Sequence, residues 1–138
     1  MSTRCEIGIE LEDGSVIACY CHHDGYVEGV GECLLRWYNN KDIILELLKD
    51  GGFSLLRRSI AEMQKEYYRD GDDQIKYKSA EDFYKTNTAC SQEPGELWSD
   101  REYIYLFRDD QWYFVETNVF SKDNPTEWEL VSSYLDKT

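Results

Sequence analysis

The sequence predicts an α+β fold: an antiparallel sheet of four to five strands, made of two hairpins, with helices mainly on one face. Two pairs of apolar runs flank short polar turns near the two ends of the chain. Between and after them the apolar residues recur every three or four positions, the mark of amphipathic helices. The order is hairpin, two helices, an unclear middle, a short helix, hairpin, helix, which fits a sheet layered with helices.

The first hairpin is expected over residues 4–12 and 15–22. Cys5, Ile7, Ile9 and Leu11 alternate with Glu6, Gly8, Glu10 and Glu12, a period of two for a half-buried strand. Asp13-Gly14 separates this run from Val16–Cys21 and predicts a type I′ turn with two positive φ angles. A glycine-rich loop follows. Val30, Leu34, Trp37 and Tyr38 then share one helical face, with Cys33 beside them. Asn39-Asn40 breaks that helix, and a second begins near Asp42, buries Ile43, Ile44, Leu47 and Leu48, and stops at Gly51-Gly52.

Residues 53–78 are the least legible. Ser54 is a candidate cap for a helix carrying Leu55, Leu56, Ser59, Ile60 and Met63, and Tyr67-Tyr68 ends that helix or opens a strand. Asp70–Asp73 reads as a turn, and Ile75–Lys78 alternates like an edge strand. Ser79 caps a short helix with acids in its first turn and Phe83 and Tyr84 on its buried side. Residues 86–100 read as loop. Tyr103–Phe107 and Trp112–Val115 then flank four polar residues, a second hairpin apolar on both faces and so central in the sheet. Trp128, Val131, Tyr134 and Leu135 mark a terminal helix after Asn124-Pro125.

A length of 138 residues fits a single domain, 1–138. Apolar residues make up 41% and aromatics 14%, too many for a disordered chain despite a mean hydropathy of −0.66. The 28 acids outnumber the 15 bases, for a net charge of −13 and a pI near 4.5. Such a chain is expected neither to bind nucleic acid directly nor to dock on anionic lipid, since both need a basic face. No apolar run reaches the roughly 20 residues of a membrane span, and no leader is expected. The five cysteines, Cys5, Cys19, Cys21, Cys33 and Cys90, are an odd number and read as reduced, mostly buried thiols.

The chemistry-bearing residues concentrate between Tyr20 and Gly31: both histidines, an aspartate, a glutamate and three glycines. As a nucleophile site, Cys21, His22 and Asp24 offer thiol, base and orienter, but neighbours on a strand point apart. No catalytic residue is assigned. As a metal site, Cys19, Cys21, Cys33 and a histidine lack the paired spacing of structural zinc, so no metal and no cofactor is expected. As a binding loop, Tyr20, His22, Asp24, Gly25, Tyr26, Glu28, Gly29 and Gly31 would bring backbone amides and a tyrosine ring to an anionic or planar ligand. The structural alternative is a tight strand-to-helix connection that needs glycine for its backbone.

The acids are spread along the chain rather than gathered in a tail, with net charges of −6, −3 and −4 for residues 1–50, 51–100 and 101–138. Such a spread reads either as a solvated surface or as a surface that imitates a phosphate backbone. The candidate acidic surface is Glu6, Glu10 and Glu12 on the outer face of the first strand, with Asp72-Asp73 and Asp109-Asp110 in turns. Eleven tyrosines and four tryptophans suit interface anchoring.

The run Tyr20-Cys21-His22-His23-Asp24-Gly25-Tyr26-Val27-Glu28-Gly29-Val30-Gly31, preceded by Ile7-Gly8 and Glu12-Asp13-Gly14 and followed by Leu34-Leu35 and Tyr38, resembles a group of small proteins of bacteriophages, prophages and plasmids. Tyr103–Phe107 and Gln111–Tyr113 are similar to the aromatic hairpin near their C-termini. The resemblance covers about the first 55 residues closely and the last 40 loosely, and residues 57–100 depart from it. It implies an accessory protein of a mobile element, acting in the host bacterial cytoplasm. By analogy with anti-CRISPR and anti-restriction proteins, it implies as partner a host defence protein with a basic nucleic-acid-binding cleft. The alternative expectation is a protein that binds or sequesters a small nucleotide signal through the Tyr20–Gly31 loop. Unpaired sheet edges also allow a homodimer.

Overall fold

Strand β1 (Cys5–Glu10) turns back into β2 (Val16–Cys21), pairing Cys5 with Cys21 through Glu10 with Val16. The two are the hairpin that the alternation and the Asp-Gly predict. We describe residues 3–65, 73–88, 102–117 and 128–136 from a computed structural model of the chain. A π-helical turn, Val27–Gly31, leads into α1 (Glu32–Trp37), and α2 (Lys41–Leu48) and α3 (Ile60–Lys65) follow. The rest is β3 (Ile75–Tyr77), α4 (Ala80–Thr88), β4 (Tyr103–Arg108), β5 (Gln111–Glu116), β6 (Glu129–Leu130) and α5 (Val131–Asp136).

The fold is α+β, but the sheet has six strands in the order β3-β2-β1-β4-β5-β6, and it is mixed. The hairpins meet through a parallel ladder, from Cys5 opposite Tyr103 to Ile9 opposite Phe107. This corrects the expected antiparallel sheet of four to five strands. Turn chemistry fixes pairing within a hairpin, whereas the join between hairpins follows from a long crossover through the helices. Ile75–Tyr77 is an edge strand as expected, antiparallel to β2.

Helices lie mainly on one face, as expected, with α4 on the other. On one face Leu34 of α1, Ile44, Leu47 and Leu48 of α2 and Val131 of α5 pack on Cys5, Ile7, Ile9, Cys19, Tyr105 and Phe114. On the other, Ala80 and Phe83 of α4 pack on Val16, Ala18, Ile104, Leu106 and Val115. Gly8 makes room there, since a Cβ on it would lie 3.2 Å from Phe83 Cζ. Phe83 stacks at 6.2 Å on Trp128, whose neighbours Glu129 and Leu130 form a strand rather than the start of the terminal helix. The alternation in β1 therefore does not mark a wet face. A strand's period cannot show that a helix some seventy positions later will cover it.

The expected pair of positive φ angles is absent from the first turn and occurs at the second. At the first, only Gly14 has positive φ (87°), and Leu11 N–H donates to the Ser15 carbonyl across a three-residue loop. At the second, Asp109 and Asp110 adopt φ of 51° and 60°, the two-residue type I′ pattern that the Asp-Gly had suggested for the first. Aspartate tolerates this region because its short polar side chain bonds locally. Ser79 caps α4 as expected, accepting from Asp82 N–H at 3.0 Å. Asn40 caps α2, accepting from Ile43 N–H at 2.9 Å, and Gly51 ends that segment at φ 89°. Ser59, not Ser54, accepts at the start of α3. Tyr67-Tyr68, Cys90 and most of the expected 86–100 loop lie outside the described residues. A buried bond ties the sheet to the end of α1: Trp112 Nε1–H donates to the Tyr38 carbonyl at 2.7 Å.

Candidate functional site

The loop after β2 is held by backbone before any side chain acts. His22 and His23 N–H donate to the carbonyls of Phe53 and Ser54 at 3.1 and 2.8 Å, extending the β2 edge. Asp24 takes φ 58°, and the chain doubles back so that Gly25 N–H reaches the Thr3 carbonyl at 2.8 Å and Val30 N–H the Asp24 carbonyl at 2.9 Å. A Cβ on Gly25 would sit 2.8 Å from the Thr3 carbonyl oxygen, and one on Gly29 2.4 Å from that of Asp24. One on Gly31 would crowd Val27 and the Tyr105 ring. The buried Tyr105 hydroxyl donates to the Gly25 carbonyl at 2.6 Å, locking the loop to the central strand. The glycines are spent on packing, and the Gly25, Gly29 and Val30 amides are engaged within the protein.

The site residues part company accordingly. Tyr20 and His22 come together, hydroxyl to Nδ1 at 2.6 Å, and the His22 and His23 rings meet edge to face at 4.5 Å. Cys21 turns into the core, its thiol against the His23 and Ser54 carbonyls, while Asp24 and Tyr26 are exposed. Glu28 is exposed and accepts from the Tyr134 hydroxyl, which holds that tyrosine above its ordinary pKa. Among the described residues Cys5, Cys19, Cys21 and Cys33 form no disulfide. Among the described residues no three His, Cys, Asp or Glu side chains gather as a metal site requires. Among the same residues no helix is long and apolar enough to cross a membrane.

Glu28 and Gly29 border a cleft of about 620 Å³ that the sequence reading missed. Glu32, Cys33, Arg36 and Trp37 of α1 form one wall, and Leu56, Arg57, Arg58 and Glu62 the other. Arg36 Nε lies 3.0 Å from Glu32 Oε1, and the Arg58 guanidinium sits 5.9 Å from the Trp37 ring centre. Trp37, expected on the buried face of its helix, is 46% exposed. The signal available was Arg57-Arg58, a doublet of bases in an acidic chain.

At the cleft floor the Cys33 thiol touches the Arg57 carbonyl at 3.5 Å, and burial pushes its pKa up to about 11. Burial likewise raises Tyr38, whose hydroxyl donates to the same carbonyl at 2.6 Å, and lifts Tyr103 to about 12. Cys33 is therefore a protonated, weakly nucleophilic thiol at neutral pH. Groups raised in the folded state favour folding below their ordinary pKa, and that favour is lost as pH rises through the folded value. The melting temperature is expected to hold to about pH 9 and fall toward pH 12, as Cys33 and Tyr103 come under strain to ionise. A melting series by circular dichroism that stays flat across this window would contradict it.

The acids divide as well. Glu6, expected on the surface, is fully buried opposite Tyr20 in the ladder, because α4 and its neighbours close that face. Glu10 is gripped by Arg108 through two contacts, Nε–Oε1 at 3.2 Å and Nη2–Oε2 at 3.1 Å. The Glu12 side chain is 94% exposed, with Lys41 Nζ at 3.6 Å. Asp13 is exposed and held below the usual carboxylate range by the Ser15 hydroxyl and amide. Asp109 and Asp110 are exposed, Asp73 lies at the opposite end of the sheet, and Asp72 is outside the described residues. Because β1 and β4 run parallel in neighbouring positions, the Glu12-Asp13 turn and the Asp109-Asp110 turn emerge side by side at one end. No protein family, curated protein or solved structure matches the chain.

Proposed function

We propose that this chain is a mobile-element accessory protein that binds and inhibits a host defence protein of the anti-CRISPR or anti-restriction target class. It acts in the host cytoplasm by covering a basic nucleic-acid cleft and breaks no bonds. The observation that carries this reading is the meeting of the two acidic turns through the parallel β1–β4 ladder. Glu12, Asp13, Asp109 and Asp110 thereby gather on neighbouring strand ends in a molecule of net charge −13. A duplex presents a basic cleft with closely spaced negative charges, and carboxylates gathered on neighbouring strand ends can take their place there. Both turns are short and closed by backbone pairing, which limits the ordering cost of association. The buried Glu6 takes no part, and the Glu10 carboxylate is engaged by Arg108.

The test is titration into DNA-cleavage assays of purified CRISPR effectors and restriction endonucleases. Inhibition should reach its end point at a fixed molar ratio, weaken as salt rises, and leave the target covalently unchanged. Inhibition at substoichiometric amounts, with modified target, would replace this reading with an enzymatic one.

A further inference from the structure

The cleft between α1 and the Leu56–Glu62 segment is separate from the acidic sheet end, and we infer that it binds a free nucleoside phosphate. Three of the chain's seven arginines, Arg36, Arg57 and Arg58, line this one cleft. In a chain of net charge −13 this cleft is locally neutral, Glu28, Glu32 and Glu62 balancing the three arginines, so a phosphate meets less repulsion here than over an acidic surface. Arginine presents planar, forked donors that match phosphate oxygens in pairs.

The second requirement of such a ligand is a flat surface. Trp37 lies in the cleft wall, 46% exposed, with the Arg58 guanidinium 5.9 Å from its ring centre. A nucleobase stacking on this indole gains contact that an inorganic anion cannot. The carboxylates supply the third requirement. They accept hydrogen bonds only, and a nucleobase edge carries N–H donors for them, whereas a phosphate alone would be repelled. Ring, donor edge and anion are joined in one molecule of the nucleotide class, and a volume of about 620 Å³ is in the range of small-molecule sites. The free nucleotide is favoured over a nucleic-acid strand because a polyanion meets the field of the whole acidic molecule.

The experiment is calorimetric titration of the full chain with ADP and GDP, beside adenosine, guanosine, pyrophosphate and a single-stranded oligonucleotide. One of the two diphosphates should bind, with nucleoside, pyrophosphate and oligonucleotide each at least about tenfold weaker. Trp37→Ala and Arg58→Ala should each weaken binding about tenfold or more, while Lys78→Ala, outside the cleft, leaves it unchanged. Trp37 and Arg58 are exposed, so an unaltered circular dichroism melt is expected for both variants. Absence of binding by both diphosphates at about 1 mM would overturn the inference. So would pyrophosphate binding as tightly as the nucleotides, or full affinity in both cleft variants. None of these outcomes bears on inhibition through the sheet end.

Discussion

Phe83→Ala is expected to destabilise the protein by about 3–5 kcal/mol, the cost of removing a large buried ring and leaving a cavity. The figure sits at the upper end for core truncations because of where the ring lies. Phe83 is fully buried and forms the centre of the smaller core, tilted at 5.0 Å against Tyr77 and stacked at 6.2 Å on Trp128. A Cβ on Gly8 would lie 3.0 Å from Val16 Cγ1 and 3.2 Å from Phe83 Cζ, so the ring packs directly over the bare strand. Its neighbours Val16, Ala18, Ile104, Leu106 and Val115 are side chains fixed on paired strands, which limits their collapse into the space. Urea unfolding should show a lower midpoint with little change of slope. A loss under about 1 kcal/mol would mean that α4 does not seal the second face of the sheet, and the two-sided architecture would be wrong.

Gly29→Ala is the second large effect, about 2–3 kcal/mol, through overpacking rather than a void. Its added methyl would lie 2.4 Å from the Asp24 carbonyl oxygen, and backbone cannot swing aside as a flexible side chain can. Relief requires the loop to open, which breaks the Val30–Asp24 bond and pulls on the Tyr105–Gly25 lock. Gly14→Ala is the informative comparison. Nothing lies within 4 Å of a Cβ there, so only its positive φ of 87° opposes alanine, at about 1 kcal/mol. Chemical denaturation of both variants separates the two causes. Equal losses would show that the Gly29 contact carries no weight.

What was legible in the sequence was local. The hairpin pairings, the Ser79 cap, the Gly51 stop and the Ile75–Tyr77 edge strand each depend on residues within a few positions, where spacing and turn chemistry act directly. What failed was non-local. Glu6 reads as solvated but is fully buried, and Trp37, in period with the buried residues of α1, stands 46% exposed in the cleft wall. The parallel joining of the hairpins depends on a crossover too long for any window. The candidate loop divides the same way. Its glycines were visible, but whether glycine serves a ligand or a packing contact depends on Thr3 and Tyr105, far off in the chain. The cleft escaped notice because its walls come from two segments, one of them the least patterned in the sequence.

The central claim is that the gathered carboxylates of the two turns do the inhibiting. Glu12→Gln, Asp109→Asn and Asp110→Asn together remove three charges without changing shape, and asparagine keeps the left-handed turn at φ 51° and 60°. The most direct measurement is the inhibition constant of this triple variant against a target the native chain blocks, across a salt series. The account predicts an unchanged melt, inhibition weakened about tenfold or more at low salt, and a shallower dependence on salt. A variant that inhibits as strongly as the native chain, with the same salt dependence, would contradict it.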